Sequence, residues 1–392
     1  MTQALDLAAI RAQTPGVKEK LHFNNAGAGL MPQVVLDAQL SYLQTEALNG
    51  GYETAVLMAS EIENSYTAIA RLINAMPDEI AVVENATVAW AQVFYGFPFK
   101  AGDRVLTTES EYASNFIAFL QLKKRLGIEI DVAPSDETGQ VYCGQLEAMI
   151  GPKTAMICLN HIPTNGGLVQ PAEKVGEIAQ AHNIPYLLDA CQSVGQLHLD
   201  VDELKCDFLS ATGRKYLRGP RGTGFLYARK GSMDLLEPAV LDLHSAKWTS
   251  STAYKMRDDA RRFENWENNL AAKVGLGVAA DYAFGLGTGA TEERLVNLAN
   301  DLRKKLSSIR GSEVFDLGER KGGITTFSLA GHDPFTMMAK LREQSINTSV
   351  SDRESTLLDA TRRNLEPMLR ASVHYYNSEE EVDRFVEAIE AL

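Results

Sequence analysis

Residues 210–227 read SATGRKYLRGPRGTGFLY. An apolar run ends at Thr212, Gly213 and Arg214 lead to Lys215, and glycines follow at 219, 222 and 224. Glycine permits tight turns and close backbone approach. A long cationic side chain among such residues has two readings, a solvated surface turn or a lysine nucleophile beside an anion site. Next to Arg214 in a partly desolvated site, Lys215 would have the lowered pKa that a Schiff-base lysine requires. Thr212 and Arg214 would then supply a hydroxyl and a guanidinium suited to phosphate. The rest of the chain decides between the two.

Outward from this stretch, short apolar runs alternate with longer amphipathic ones. DRVLTTES (103–110), TAMICLNH (154–161), PYLLDA (185–190), CDFLSAT (206–212) and GTGFLYAR (222–229) predict strands. NFIAFLQLKKRLG (115–127) predicts a helix with a glycine stop. Pro171 opens a second one, AEKVGEIAQAHN, which Asn183 and Pro185 end. Continuously apolar strands separated by helices imply an α/β fold with a mainly parallel sheet covered on both faces. Residues 245–269 are polar and irregular, and LAAKVGLGVAADYAFGLG after them is a helix rich in small residues. The tail from about residue 295 mixes helical and strand-like pieces, an α+β pattern. Ligands of open α/β sheets bind outside the carboxyl ends of the strands, which directs attention to those ends.

Asp189 closes the apolar strand PYLLDA, a costly place for a carboxylate without a partner. It either caps a following helix or pairs with a protonated ring nitrogen. Asn85-Ala86-Thr87 falls at a strand-to-helix junction, where free amides and the Thr87 hydroxyl suit an anion and Asn85 suits an N-cap. Tyr112 follows another strand and offers either a face for a flat heterocycle or plain packing. Arg370 lies inside MLRASVHYY, where an inward guanidinium needs a carboxylate, either internal or from a substrate.

Composition excludes other classes. The 392 residues carry a formal net charge of -13, which disfavours nucleic acid and anionic membrane as partners. No stretch approaches the apolar length of a membrane span, and the amino-terminal MTQALDLAAIRAQTPG has no secretory core. Cys143, Cys158, Cys191 and Cys206 form no C-x-x-C pair, so a reducing cytoplasm is the expected compartment. Neither an H-E-x-x-H zinc motif nor a G-x-S-x-G elbow occurs, and no metal is expected.

Taken together, HFNNAGAGLMP, LLDACQSVGQ, TGRKYLRGPRGTGFLY, RRFENWE and LRASVHYYNSEEEVDR resemble, in order, the motifs of the class V aminotransferase family of pyridoxal 5′-phosphate (PLP) enzymes. The resemblance implies a fold-type I architecture. Its large PLP-binding domain (20–260) has a mainly parallel seven-stranded sheet, and residues 1–19 and 261–392 form a smaller α+β domain. It implies that Lys215 holds the cofactor and moves the substrate α-proton, that Asp189 pairs with the pyridine nitrogen, and that Gln192 contacts the phenolic oxygen. It also implies Tyr112 stacked on the ring and Ala86, Thr87, Thr212 and Arg214 on the phosphate. Arg370 is implied as the grip on the substrate carboxylate, with Asn25 and Ala26 lining the substrate mouth. A homodimer with active sites at its interface follows, with 261–268 reaching the neighbouring site.

Departures from the family pattern refine the expected chemistry. Arg214 and Tyr112 stand where histidines are usual, Thr164 where many members have Asn near the phenolic oxygen, and Trp266-Glu267 where Gly-Thr is usual. No cysteine follows Cys206, so the mobile-loop thiol that desulfurases use to accept sulfur is missing. The expectation is a β-eliminating carbon–sulfur lyase acting on a cysteine-derived amino acid without an enzyme persulfide. An aminotransferase or an epimerase of the same family is the alternative, and a non-catalytic PLP-binding regulator ranks last.

Overall fold

The computed structural model describes residues 5–392. Its central sheet has seven strands, β1 (Ile80–Val83), β2 (Arg104–Thr108), β3 (Glu129–Ala133), β4 (Thr154–Asn160), β5 (Tyr186–Asp189), β6 (Phe208–Thr212) and β7 (Gly224–Ala228). They lie side by side in the order β1-β7-β6-β5-β4-β2-β3. All neighbours pair in parallel except β7, which runs antiparallel to both β1 and β6. The predicted strands and helices of 103–229 all form, with ends moved by a residue or two. Helix Ala113–Leu126 stops at Gly127, in the left-handed region at φ 76°.

The strands are apolar throughout because successive side chains point to opposite faces and both faces are covered. In β4, Ile157 and Leu159 join one buried cluster while Met156 and Cys158 join the other. Helix Leu270–Leu286 contributes Leu276, Ala279 and Ala280 to the first of these clusters. Its small residues allow close contact with helix Ala59–Leu72: a Cβ on Gly277 would stand 2.7 Å from the Ser65 backbone.

Beyond it, a four-stranded antiparallel sheet has the order β8-β9-β11-β10, from β8 (Ser312–Val314), β9 (Ile324–Leu329), β10 (Ser349–Ser351) and β11 (Met368–Ser372). Helices Thr288–Ser308, Pro334–Glu343 and Glu379–Glu390 cover one face and share a core with Phe327, Leu369 and Ala371. Leu21 and Phe23, early in the chain, pack into that same core. Besides β3 and helix Cys143–Ala148, two longer features escaped the sequence reading. One is the helical segment before β1, Gln33–Asn49, Gly51–Leu57 and Ala59–Leu72. The other is a hairpin, Ala246–Ser250 with Ala253–Met256, inside the stretch expected to be irregular. Its side chains are mostly exposed, so no apolar alternation marks it. No helix among the described residues is long and apolar enough to cross a membrane.

Candidate active site

The carboxyl ends of β2, β4, β5 and β6 open on one edge of the sheet, and most of the expected residues stand there. Asp189 ends β5 and is 5% exposed. Its Oδ1 accepts the Cys191 amide at 2.9 Å and its Oδ2 accepts the Asn115 side-chain amide at 2.9 Å. The helix-cap reading fails, because the next helix, Val201–Leu204, is capped by Asp200.

After β6 the chain closes on itself. Gly213 N–H donates to Thr223 O (2.9 Å), Gly219 N–H to Gly213 O (2.7 Å) and Arg218 N–H to Lys215 O (3.0 Å). A Cβ on Gly29 would stand 2.7 Å from the Lys215 carbonyl, so the amino-terminal strand-and-turn segment lies directly on this loop. The surface-turn reading of Lys215 therefore fails. Burial pulls its ammonium below the ordinary lysine value; Cys191 and Asp189 oppose that, while Arg214 and Arg370 add to it.

Arg218 pins the loop. It is 1% exposed and donates to Leu30 O (2.7 Å), the Tyr375 hydroxyl (3.0 Å) and Thr14 Oγ1 (2.6 Å). Its guanidinium lies 4.6 Å from the Tyr376 ring centroid, a cation–π contact that supports a buried charge without a carboxylate. It does this from the left-handed region, at φ 60°.

Arg370 comes from the other sheet. Along β11, Leu369 and Ala371 face the helical core, so alternation sends Arg370 to the opposite face. It is 8% exposed, and Nη1 donates to the Thr164 carbonyl (2.9 Å) and hydroxyl (3.0 Å). Among the described residues, Nη2 has only a long contact to Asn24 Oδ1 (3.5 Å), and Nε has no partner. No carboxylate pairs with it among the described residues, so the internal salt bridge that the sequence allowed is not there. Burial lowers its pKa, and Arg214 adds to that. Arg214 thus disfavours the charge of both Lys215 and Arg370, a concentration of positive groups in an acidic chain that suits an anion.

Further donors lie at the same sheet edge. Asn85 caps helix Ala86–Gly96 by accepting the Val88 amide (3.0 Å), leaving the first-turn amides of Ala86 and Thr87 at the positive end of the helix dipole. Ala86 is buried and Thr87 exposed. Thr212 is buried, with only a 3.5 Å contact from its hydroxyl to Thr223 O. Arg214 is half-buried and hydrogen-bonds the Gly27 carbonyl. Tyr112 is half-buried at the N-cap of helix Ala113–Leu126, just after β2, and its backbone amide donates to Glu111 Oε1 (2.8 Å). Gln192 is buried; its amide nitrogen donates to Ala26 O (3.2 Å), and its Oε1 has no partner among the described residues. The second hydrogen of that amide nitrogen is free of the Ala26 bond and is the one Gln192 would offer to a phenolic oxygen.

Asn25 does not stand where the sequence placed it. It is fully buried, its amide donates to Ser372 O (2.7 Å), and the Tyr376 hydroxyl donates to its Oδ1 (2.5 Å). With its polar atoms committed to the frame, it lines no mouth; its neighbour Asn24 is the residue beside Arg370. Ala26 is buried too, its amide on Ser372 Oγ (2.9 Å). Arg261 pairs with Glu63 and lies 3.7 Å from the Tyr66 ring centroid. With Trp266 and Glu267 it lines a pocket of about 810 Å³ that no residue of the lysine loop borders.

Sequence reasoning missed Glu111 and Asn115, buried next to Asp189, as well as Asn24 and Arg218. A carboxylate and an amide four residues apart in TTESEYASN, just after an apolar strand, were the available signal. Nothing local marks Arg218, whose partners lie up to 204 residues away.

The family model for aminotransferase class-V matches residues 21–385. A probable cysteine desulfurase of Methanothermobacter thermautotrophicus is 29% identical over 98% of this chain and 97% of its own length. One of Pyrococcus abyssi is 28% identical over 98% and 96%. The apo structure of a cysteine desulfurase from Thermococcus onnurineus superposes with a TM-score of 0.92 at 26% identity, covering 99% of this chain and 98% of that one. A cystine C–S lyase in complex with its product cysteine persulfide has the same fold, with a TM-score of 0.87 at 24% identity over 96% and 99%. With its lysine, aspartate and arginine gathered at one sheet edge, the chain belongs to the class V aminotransferase family of PLP-dependent enzymes.

Proposed function

We propose that this enzyme cleaves the carbon–sulfur bond of a cysteine-derived L-amino acid by β-elimination, and that no enzyme thiol carries the sulfur. The observation behind the second half is the state of the cysteines. None follows Cys206, and burial pushes all four thiols, Cys143, Cys158, Cys191 and Cys206, above the ordinary value. A sulfur acceptor must be a thiolate that reaches the substrate, and these groups are held as thiols.

PLP fits the residues present. Among the described residues, Lys215 is a half-buried amine without an ion pair, Arg370 keeps an unpartnered Nε, and Gln192 keeps an unpartnered Oε1. Lys215 would hold the cofactor, Asp189 its ring nitrogen, Tyr112 its ring face, and Ala86, Thr87, Thr212 and Arg214 its phosphate. When bound, the cofactor delocalises the electron pair left at Cα. The protein's residues do the remainder. The Nε–Nη2 edge of Arg370 presents two parallel donors to the substrate carboxylate, held in place by Thr164. Lys215, its ammonium disfavoured by burial, takes the Cα proton as a neutral amine. The C–S bond then breaks with its electron pair leaving on sulfur, and the resulting imino acid hydrolyses to pyruvate and ammonia.

A homodimer is part of the same reading. Leu36, Leu40, Leu43 and Leu48 on helix Gln33–Asn49 and Tyr52, Val56 and Leu57 on helix Gly51–Leu57 are exposed, an apolar surface suited to a second copy. Trp266 is also exposed there, on the 261–268 segment expected to approach a neighbouring site. Sedimentation of the purified protein tests this, and a monomer would refute it.

The experiment for the reaction incubates the holoenzyme with cysteine, cystine or a cysteine S-oxide without any 2-oxo acid. Pyruvate and ammonia support the proposal. Turnover only with an added acceptor would indicate transamination, and loss of chirality without pyruvate would indicate epimerisation.

A further inference from the structure

Asp189 has a second carboxylate behind it. Glu111, 4% exposed, follows β2 and faces the same amide as Asp189. The Asn115 nitrogen donates to Glu111 Oε1 at 2.9 Å and to Asp189 Oδ2 at 2.9 Å. Such a nitrogen has two hydrogens, one for each acid. Glu111 is also held by the Tyr112 amide (2.8 Å) and the Thr107 hydroxyl (2.7 Å). The groups facing it are therefore Thr107 from β2, Asn115 from helix Ala113–Leu126, Asp189 from β5 and the Cys158 thiol from β4. No cation is hydrogen-bonded to it among the described residues. Burial pushes Glu111 up to about 7; donors at Asn115 and Thr107 pull it down, and the Asp189 carboxylate adds repulsion.

An acid buried only for packing gains nothing from this arrangement, since a glutamine oxygen would accept from Asn115 and Tyr112, and its nitrogen would donate to a re-oriented Thr107 hydroxyl, without the desolvation cost. We infer that Glu111 is a positioning residue which, through the amide it shares with Asp189, sets how firmly Asp189 holds a proton on a ring nitrogen. This rests on the reading that Asp189 faces the cofactor's pyridine nitrogen. A positive charge beside Asp189 relieves the repulsion on Glu111, and by reciprocity an ionised Glu111 favours that positive charge.

The test reads the ring-nitrogen chemical shift of isotope-labelled PLP in the holoenzyme across a pH titration. In Glu111→Gln, which keeps the frame and removes the charge, the midpoint for loss of the ring proton falls by about one pH unit, or tenfold in the protonation ratio. Thr107→Val withdraws a hydrogen bond from the ionised acid and moves the midpoint the same way by less. An unchanged midpoint in both folded variants overturns the role of Glu111, and if Glu111→Gln does not fold, Thr107→Val decides alone. Asp189→Ala separates the two readings. If it lowers the midpoint while Glu111→Gln and Thr107→Val do not, Asp189 is the ring partner and Glu111 is not its tuner. If Asp189→Ala leaves the midpoint in place, the pairing itself is wrong.

Discussion

Replacing Arg370 by methionine separates a functional arginine from a structural one. Methionine matches much of the length and removes the charge. In the folded chain only Nη1 is firmly bonded, to the Thr164 carbonyl and hydroxyl, and no carboxylate would be orphaned by the change. A buried cation without a counter-ion is a burden on stability, so Arg370→Met should leave the cofactor-free protein as stable as wild type or stabler by about 1–2 kcal/mol. Its catalytic effect should be large. Two charge-assisted hydrogen bonds to the substrate carboxylate, each worth about 1.5–3 kcal/mol, predict a fall in kcat/KM of about 10²- to 10⁴-fold. The loss should appear chiefly in KM, because the carboxylate is gripped before and during reaction. Denaturant unfolding and steady-state kinetics read the two effects. Destabilisation by about 2 kcal/mol or more with kcat/KM retained would make Arg370 a frame residue and refute the reasoning.

Lys215→Ala should still fold but lose covalent attachment: after borohydride reduction, wild type carries the cofactor's mass on the Lys215 peptide and the variant carries none. Arg218→Ala removes three hydrogen bonds and a stacked guanidinium from a sealed site, and unfolding should become easier by about 3–5 kcal/mol in denaturant titration. Glu111 makes the cofactor-free protein pH-sensitive. Its folded value, raised to about 7 from 4.5, means the native state binds the extra proton between those values, so its contribution is full below pH 4.5 and is lost as pH rises through 7. The shift is worth about 3 kcal/mol at most, and Glu111→Gln should flatten the melting-temperature profile across that window.

The fold was legible where burial leaves a pattern. Strands with both faces covered are apolar throughout, and the loop at Lys215 carries its glycines and its lysine in one short string. Asp189 and Arg370 stood out as charges inside apolar runs, and the structure shows each of them buried. Three kinds of feature stayed hidden. The hairpin at 246–256 is solvent-facing, so no alternation betrays it. Asn25 and Asn24 are adjacent and identical in type, and only the contacts made by Ser372 and Tyr376 tell the frame residue from the one beside Arg370. Arg218 and Asn115 draw their meaning from partners that folding brings together over long sequence separations.

Product identification from L-cysteine, with neither acceptor nor reductant present, tests the central claim most directly. Direct elimination predicts pyruvate, ammonia and sulfide in equal amounts, with no sulfur added to any of the four cysteines by intact-protein mass spectrometry. Alanine as the product, with sulfur retained on the protein, would contradict it.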